Sequence, residues 1–327
     1  MNERGCVSVA SIYEPIKYGL ELVEKRLKSL SNVEFPWVSV PLSYVLDSGG
    51  KRIRPVLTLL SGKFYNYEVD RLVTMGTGIE VFHTASLVHD DAVDKALTRR
   101  GKSAVNQVWG EGIAVLLGDY LYALSADLIC SIGDLKVMEL FAKTLTELSS
   151  GQLRETFGTR NWKQTRQGYY EQINSKTASL FAASTGGGAI LSGAPEKAID
   201  ALKSYGRNVG LAFQVVDDIL DFTASEKELG KPAGNDLLQG TITLPTLLFM
   251  EQHPRDKSVQ NLFEKKGGQE EVNRIIEKVR NTSILEDCYK VAEDFSAKAR
   301  RDIEWLPEKD CHRAMNELAD FVVERRK

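Results

Sequence analysis

The chain is expected to be all-α, one domain covering residues 1–327 and built as a bundle of roughly a dozen helices. Apolar residues recur with the helical period almost throughout, alternating strand patterns are scarce, and glycines and prolines punctuate the periodic runs. The first long run is "IYEPIKYGLELVEKRLKSL". A break follows at Gly49 and Gly50, with Pro55 at the start of the next helix, where a missing N–H costs nothing. The runs "AVLLGDYLYALSADLICSI" and "KVMELFAKTLTELSSGQL" are separated by a break at Ser131 to Asp134. Gly186, Gly187 and Gly188 lie inside a helical pattern, which points to close helix packing or a kink. After a break at Gly193 to Pro195 comes "IDALKSYGRNVGLAFQVVDDIL", and further breaks fall at Gly230 to Gly234 and near His253 and Pro254.

With 327 residues and 43% apolar content the chain can bury a large core, and no proline-rich, glycine/serine-rich or charge-block linker divides it. A net charge of −3 carries no nucleic-acid footprint. Cys6, Cys130, Cys288 and Cys311 show no CxxC spacing, so reduced thiols and a cytoplasmic location are expected. The N-terminal segment has no apolar signal region, and no stretch reaches about 18 uninterrupted apolar residues, so no stable membrane span is expected.

Two DDxxD clusters carry the chemistry: Asp90, Asp91 and Asp94, then Asp217, Asp218 and Asp221. In each, the first and last aspartates are one helical turn apart, which puts their side chains on one face about 5–6 Å from each other. Each cluster ends an apolar run, "VFHTASLV" and "VGLAFQVV", where carboxylates are costly unless paired or metal-bound. Hard oxygen ligands favour Mg²⁺, which bridges carboxylates to substrate phosphates, so a diphosphate is the expected ligand. An EF-hand is excluded because the alternating oxygen ligands and central glycine of that loop are missing. The cations sit where a diphosphate enzyme would need them. "GGKRIRP" places Lys51, Arg52 and Arg54 at a helix start, Arg99 and Arg100 follow the first cluster, and Lys176, Thr177 and Gln214 interrupt apolar helices.

From about Pro41 to Pro245 the chain resembles the trans-isoprenyl diphosphate synthases, through "GGKRIRP", "HTASLVHDDAVD", "TRRG", "GDYLYALS", "KTA" and "FQVVDDILDF…GKPAGND". The resemblance implies an isoprenoid synthase fold with a central cavity. It implies that Asp90, Asp94 and Asp217 bind Mg²⁺, with Asp91, Asp218 and Asp221 supporting. Arg99, Lys176 and Lys231 would hold an allylic diphosphate. Lys51, Arg54, His83 and Arg100 would hold isopentenyl diphosphate, with Phe213 against its hydrocarbon part. Thr177, Gln214, Gln152 and Glu155 fall where the family stabilises a carbocation or completes the polar shell. Thr241 departs from the pattern, since the family often has lysine there. The family's habit is a homodimer.

No Ser/His/Asp or Cys/His set offers a nucleophile, so the residue types favour electrostatic stabilisation of a departing diphosphate over covalent catalysis. Ser86 and Ala85, four and five residues before Asp90, and Ala126 are small where some relatives carry aromatics, so a product of geranylgeranyl length or longer is expected. Two rivals were weighed. A class I terpene cyclase would normally replace the second acid cluster and lack "GGKRIRP". A non-catalytic or regulatory subunit of a heteromeric synthase would usually lose its acids, and this chain keeps both clusters.

Overall fold

The computed structural model describes residues 9–223, 233–265 and 267–325. Helices α1 (Val9–Tyr13) and α2 (Lys17–Ser29) are joined by a 3₁₀ turn at Glu14–Ile16, where Pro15 lacks the N–H an α-helix would use. They are followed by α3 (Pro36–Leu46), α4 (Ile53–Gly62) and α5 (Val69–Val93). A two-residue hairpin of β1 (Thr98–Arg99) and β2 (Lys102–Ser103), with Thr98 opposite Ser103, is the one sheet among the described residues. Then come α6 (Val105–Trp109), α7 (Glu111–Ser131), α8 (Leu135–Gly158) and α9 (Arg166–Ile173). A π-helical turn at Asn174–Ala178 leads into α10 (Ser179–Leu191) and α11 (Glu196–Thr223). Among the described residues six helices follow: α12 (Asn235–Gln239), α13 (Leu244–Gln252), α14 (Ser258–Glu264), α15 (Gln269–Arg280), α16 (Ile284–Ile303) and α17 (Asp310–Glu324). The predicted all-α class is what forms. The helices outnumber the expected dozen because Pro15 and several short connections cut the periodic runs.

One continuous apolar cluster extends from Ile12 to Val323. At its centre lies α10, buried along nearly its whole length. The three consecutive glycines explain how. A Cβ on Gly186 would meet Lys203 of α11 at 2.7 Å, and one on Gly187 would meet Met75 of α5 at 2.1 Å. On Gly188 it would meet Ser61 Oγ of α4 at 2.1 Å. Each glycine faces a different neighbour, so the run lets three helices approach one backbone, as small-residue contacts allow.

Helix α7 is long and apolar enough, by length and composition, to cross a membrane. Its apolar sequence is interrupted by Asp119 and Asp127, and Leu117, Leu121, Ser125 and Leu128 pack inward. Its opposite face exposes Ile113, Val115, Leu116 and Tyr120, with Leu153 and Phe157 exposed on α8. Cys130 is exposed, Cys288 and Cys311 are buried and free, and Cys6 lies outside the described residues.

Candidate active site

The first acid cluster ends α5, with Asp94 at the C-cap donating its N–H to Asp90 O at 2.8 Å. The second lies near the end of α11. Burial pushes the Asp90 carboxyl up to about 6, helped by Asp94 and Glu155 and opposed by Lys176. Asp94 is raised for the same reasons. Two carboxyls that resist ionising beside each other form a site that a cation would stabilise.

Lys176 answers them. Burial lowers its pKa, but Glu155, Asp90 and Asp94 together hold it above the ordinary lysine value. It pairs directly with Glu155. Its position follows from the π-helical turn, one extra residue that re-aims Lys176 and Thr177 relative to a regular helix. Gly151 of α8 permits the turn, since a Cβ there would stand 2.8 Å from Ser175 Cβ and 3.2 Å from Lys176 N. Gln152 Oε1 is buried and without a partner among the described residues.

The middle aspartates have different surroundings. Asp91 is buried and accepts both Nε and Nη2 of Arg99, with Nε at 3.0 Å from Oδ1. Arg99, expected at the allylic diphosphate, thus also fastens the hairpin to α5. Asp218 accepts from Tyr169 Oη at 2.6 Å and from Gln214 Nε2 at 2.8 Å, and Thr177 Oγ1 donates to Gln214 Oε1 at 2.7 Å. Burial, then Asp236, pushes the Asp218 carboxyl well above the usual carboxylate range. Asp221, also buried, accepts the Asp236 N–H at 3.2 Å, tying the start of α12 to α11. Asp217 is paired with Arg325.

The cationic side is built on the connection from α3 to α4 and on the hairpin. Burial and then Arg325 lower the Lys51 pKa, with Asp217 opposing. Arg54 is lowered to about 10 by burial, stacks 4.9 Å over the Phe181 ring, and keeps a buried Nε without a partner among the described residues. Burial and the guanidiniums of Arg54, Arg100, Arg99 and Arg52 hold His83 well below the ordinary histidine value, so it is neutral at pH 7. Phe213 lies 5.4 Å from Phe181 and under the Arg325 guanidinium at 4.3 Å. Asp217 raises the pKa of both Lys51 and Arg54, which links the two halves of the site.

Lys231 lies outside the described residues. Thr241 lines a cavity of about 230 Å³ beside Glu155 and Gln172. Ala85 is fully buried, Ser86 donates to His83 O, and Ala126 packs at the core's edge. On the same face of α5, Phe82 meets Tyr122 at 5.2 Å and Phe141 at 5.4 Å, and Tyr122 also reaches His89. Aromatic bulk from α7 and α8 therefore stands beside the small residues of α5. Sequence reasoning missed Tyr169, Tyr122 and Arg325. Tyr169 is seven residues before Lys176, two turns along one face, whereas Arg325 is 108 residues from Asp217 with no local signal.

A carboxylate rim joined to a cluster of arginines around a neutral histidine defines a helical enzyme of the diphosphate-handling class. The family described as polyprenyl synthetase matches residues 35–279. The heptaprenyl diphosphate synthase component 2 of Bacillus subtilis (strain 168) is 36% identical over 314 residues, covering 96% of this chain and 90% of its own. Solanesyl diphosphate synthase 2, chloroplastic, of Arabidopsis thaliana is 33% identical over 329 residues, 98% of this chain and 78% of its own. The crystal structure of a polyprenyl synthase from Caulobacter crescentus CB15, complexed with calcium and isoprenyl diphosphate, matches with a TM-score of 0.94 at 30% identity. That match covers 99% of this chain and 100% of the other. The chain belongs to the polyprenyl synthetase family and is a prenyltransferase.

Proposed function

We propose that the protein is an all-trans polyprenyl diphosphate synthase that condenses isopentenyl diphosphate with an allylic diphosphate in a Mg²⁺-dependent reaction, acting as one catalytic unit. The observation that carries this is the division of the site: Asp90 and Asp94 with raised pKa values beside Lys176, and Lys51, Arg54 and Arg100 around neutral His83. Among the described residues no three His, Cys, Asp or Glu side chains converge on one point. Asp90, Asp94 and Asp217 would therefore hold Mg²⁺ together with water and substrate oxygens, as that ion prefers. When bound, Mg²⁺ supplies charge neutralisation of the leaving diphosphate.

Lys176 adds a fixed positive charge beside the allylic diphosphate, strongest when water is excluded. Thr177 Oγ1 and Gln214, locked by Asp218 and Tyr169, present oxygens toward the developing allylic cation. Arg54 and Arg100 orient isopentenyl diphosphate, and the Phe213 and Phe181 rings border its hydrocarbon end. Its double bond adds to the cation, and the departed diphosphate takes the proton. Neutral His83 can donate one hydrogen bond without adding charge. The small Ala85, Ser86 and Ala126 support a product of geranylgeranyl length or longer, with the Phe82, Tyr122 and Phe141 cluster as its lower limit.

The test is elongation by the purified protein alone with Mg²⁺, isopentenyl diphosphate and allylic primers of increasing length, read as dephosphorylated products. A ladder ending at one long product, abolished by EDTA, is expected. A second reading, a subunit active only in a heteromer, is favoured by the component 2 name of the Bacillus subtilis relative, while the exposed apolar face of α7 and α8 suits either kind of partner. We place a second copy of this chain on that face, in a cytoplasmic homodimer. No elongation by folded protein alone would transfer support to the heteromer.

A further inference from the structure

We infer that Arg52 is a positioning residue, held between the buried Glu80 and the half-buried Glu24, that sets the GGKRIRP loop for binding isopentenyl diphosphate. The inference rests on the two-substrate reading above.

A guanidinium has five N–H donors. In Arg52 all five have protein acceptors. Nε donates to Glu24 Oε1 at 2.5 Å, and Nη2 to Glu24 Oε2 and Leu46 O, both at 3.3 Å. Nη1 donates to Glu80 Oε1 at 3.1 Å and to Gly49 O at 3.4 Å. Arg52 is 7% exposed and Glu80 3%. Arg52 therefore has no donor left for a diphosphate. Two residues on, Arg54 keeps a buried Nε without a partner among the described residues. One motif thus holds a saturated arginine and an unsaturated one, and the second is the one able to take a ligand.

The loop needs a clamp because its backbone is strained. Arg52 has φ 50° and Arg100 φ 51°, the left-handed region that costs a side-chain-bearing residue energy unless its surroundings enforce it. Both arginines donate to the same acceptor, Gly49 O. Tyr13 Oη adds a hydrogen bond to Lys51 O at 2.7 Å. Residues 46–52 are thereby tied to α1, α2, α5 and the hairpin, with Lys51 on the tied segment and Arg54 two residues beyond it on α4. Glu80, one turn before His83 on α5, places the clamp and the neutral imidazole on one rigid helix.

The experiment compares the wild-type protein with Arg52→Lys, which keeps the charge and loses the fork. The readouts are KM for isopentenyl diphosphate, KM for the allylic diphosphate, kcat and the thermal midpoint. The expected result is a rise of about 10- to 100-fold in KM for isopentenyl diphosphate, the scale of a misplaced binding group, with KM for the allylic diphosphate within about twofold. Equal rises in both constants, or a lower midpoint with both unchanged, overturn the inference. If Arg52→Lys does not fold, Glu24→Gln decides, because Glu24 lies at the solvent edge and its loss should give the same split at smaller amplitude. Absence of isopentenyl diphosphate turnover in the wild-type protein would instead count against the proposed function.

Discussion

The two DDxxD clusters are alike in sequence and unlike in surroundings. In the first, the middle carboxylate, Asp91, is paired with a cation, Arg99, and anchors the hairpin. In the second, Asp218 faces neutral donors, Tyr169 and Gln214, and its charge is disfavoured by burial. Of the outer members, Asp90 and Asp94 stand near Lys176 and Asp217 near Arg54, while Asp221 is buried and accepts the Asp236 N–H. The same four-residue spacing therefore yields an ionic strut in one place and a neutral relay toward Thr177 in the other. Under the proposed function, Asp90, Asp94 and Asp217 are the positions that share a role.

The largest effect should come from those shared positions. Asp90→Ala and Asp217→Ala should each lower kcat by at least about 10²–10³-fold, the scale of losing a preorganised charge contact. Steady-state kinetics at saturating Mg²⁺ measures this, and retention of activity by either variant would break the equivalence of the clusters.

Next in size is a pH effect on the metal-free protein. The folded-state pKa of Asp90, about 6, lies above the ordinary value of 3.8, so the folded state binds more protons between these values. Stability should fall as pH rises through that window, by up to about 3 kcal/mol. His83 has the opposite sign: its folded pKa is depressed, so its contribution is complete above about 6.5 and lost as pH falls below it. Urea unfolding from pH 4 to 8 in EDTA should show Asp90→Asn flattening the first slope and His83→Gln the second.

The middle aspartates should separate under one substitution. Asp91→Asn removes the countercharge of Arg99, which is nearly half exposed, and should cost about 1–3 kcal/mol after allowance for solvent screening. Asp218→Asn keeps the shape at a site that already resists charge and turns one acceptor into a donor that the Tyr169 hydroxyl can accept, so it should cost under about 1 kcal/mol. Equal losses in urea midpoints would remove the distinction drawn here.

A last change concerns Lys176. Gly151→Ala should press on Ser175, shift the π-helical turn and lower kcat by about tenfold at a stability cost of about 1–3 kcal/mol. An unchanged kcat would show that the turn yields without moving Lys176.

Much of this site was legible in the chain because it depends on local spacing. Residues four apart on a helix share a face wherever the helix is placed, so the first and last aspartates of each cluster could be put on one face before any packing was known. Glycine pairs, prolines and apolar periods likewise marked the helix ends at Leu46, Ser131, Leu191 and Gln252. The run of three glycines could be recognised as a packing device, although its three separate neighbours could not.

What the chain does not encode locally is partnership across long separations. Asp91 and Asp218 occupy the same motif position, and their fates depend on whether the fold brings a guanidinium or a phenol to the carboxylate. Arg52 and Arg54 are indistinguishable as letters, yet Glu24 and Glu80, on two other helices, saturate one and leave the other with an unpartnered donor. Arg325 meets Asp217 from the far end of the chain. Burial shifts a pKa and completes a hydrogen-bond set only when distant segments exclude water together, so roles within a motif were decided by tertiary packing while the motif's geometry was already present in the helix.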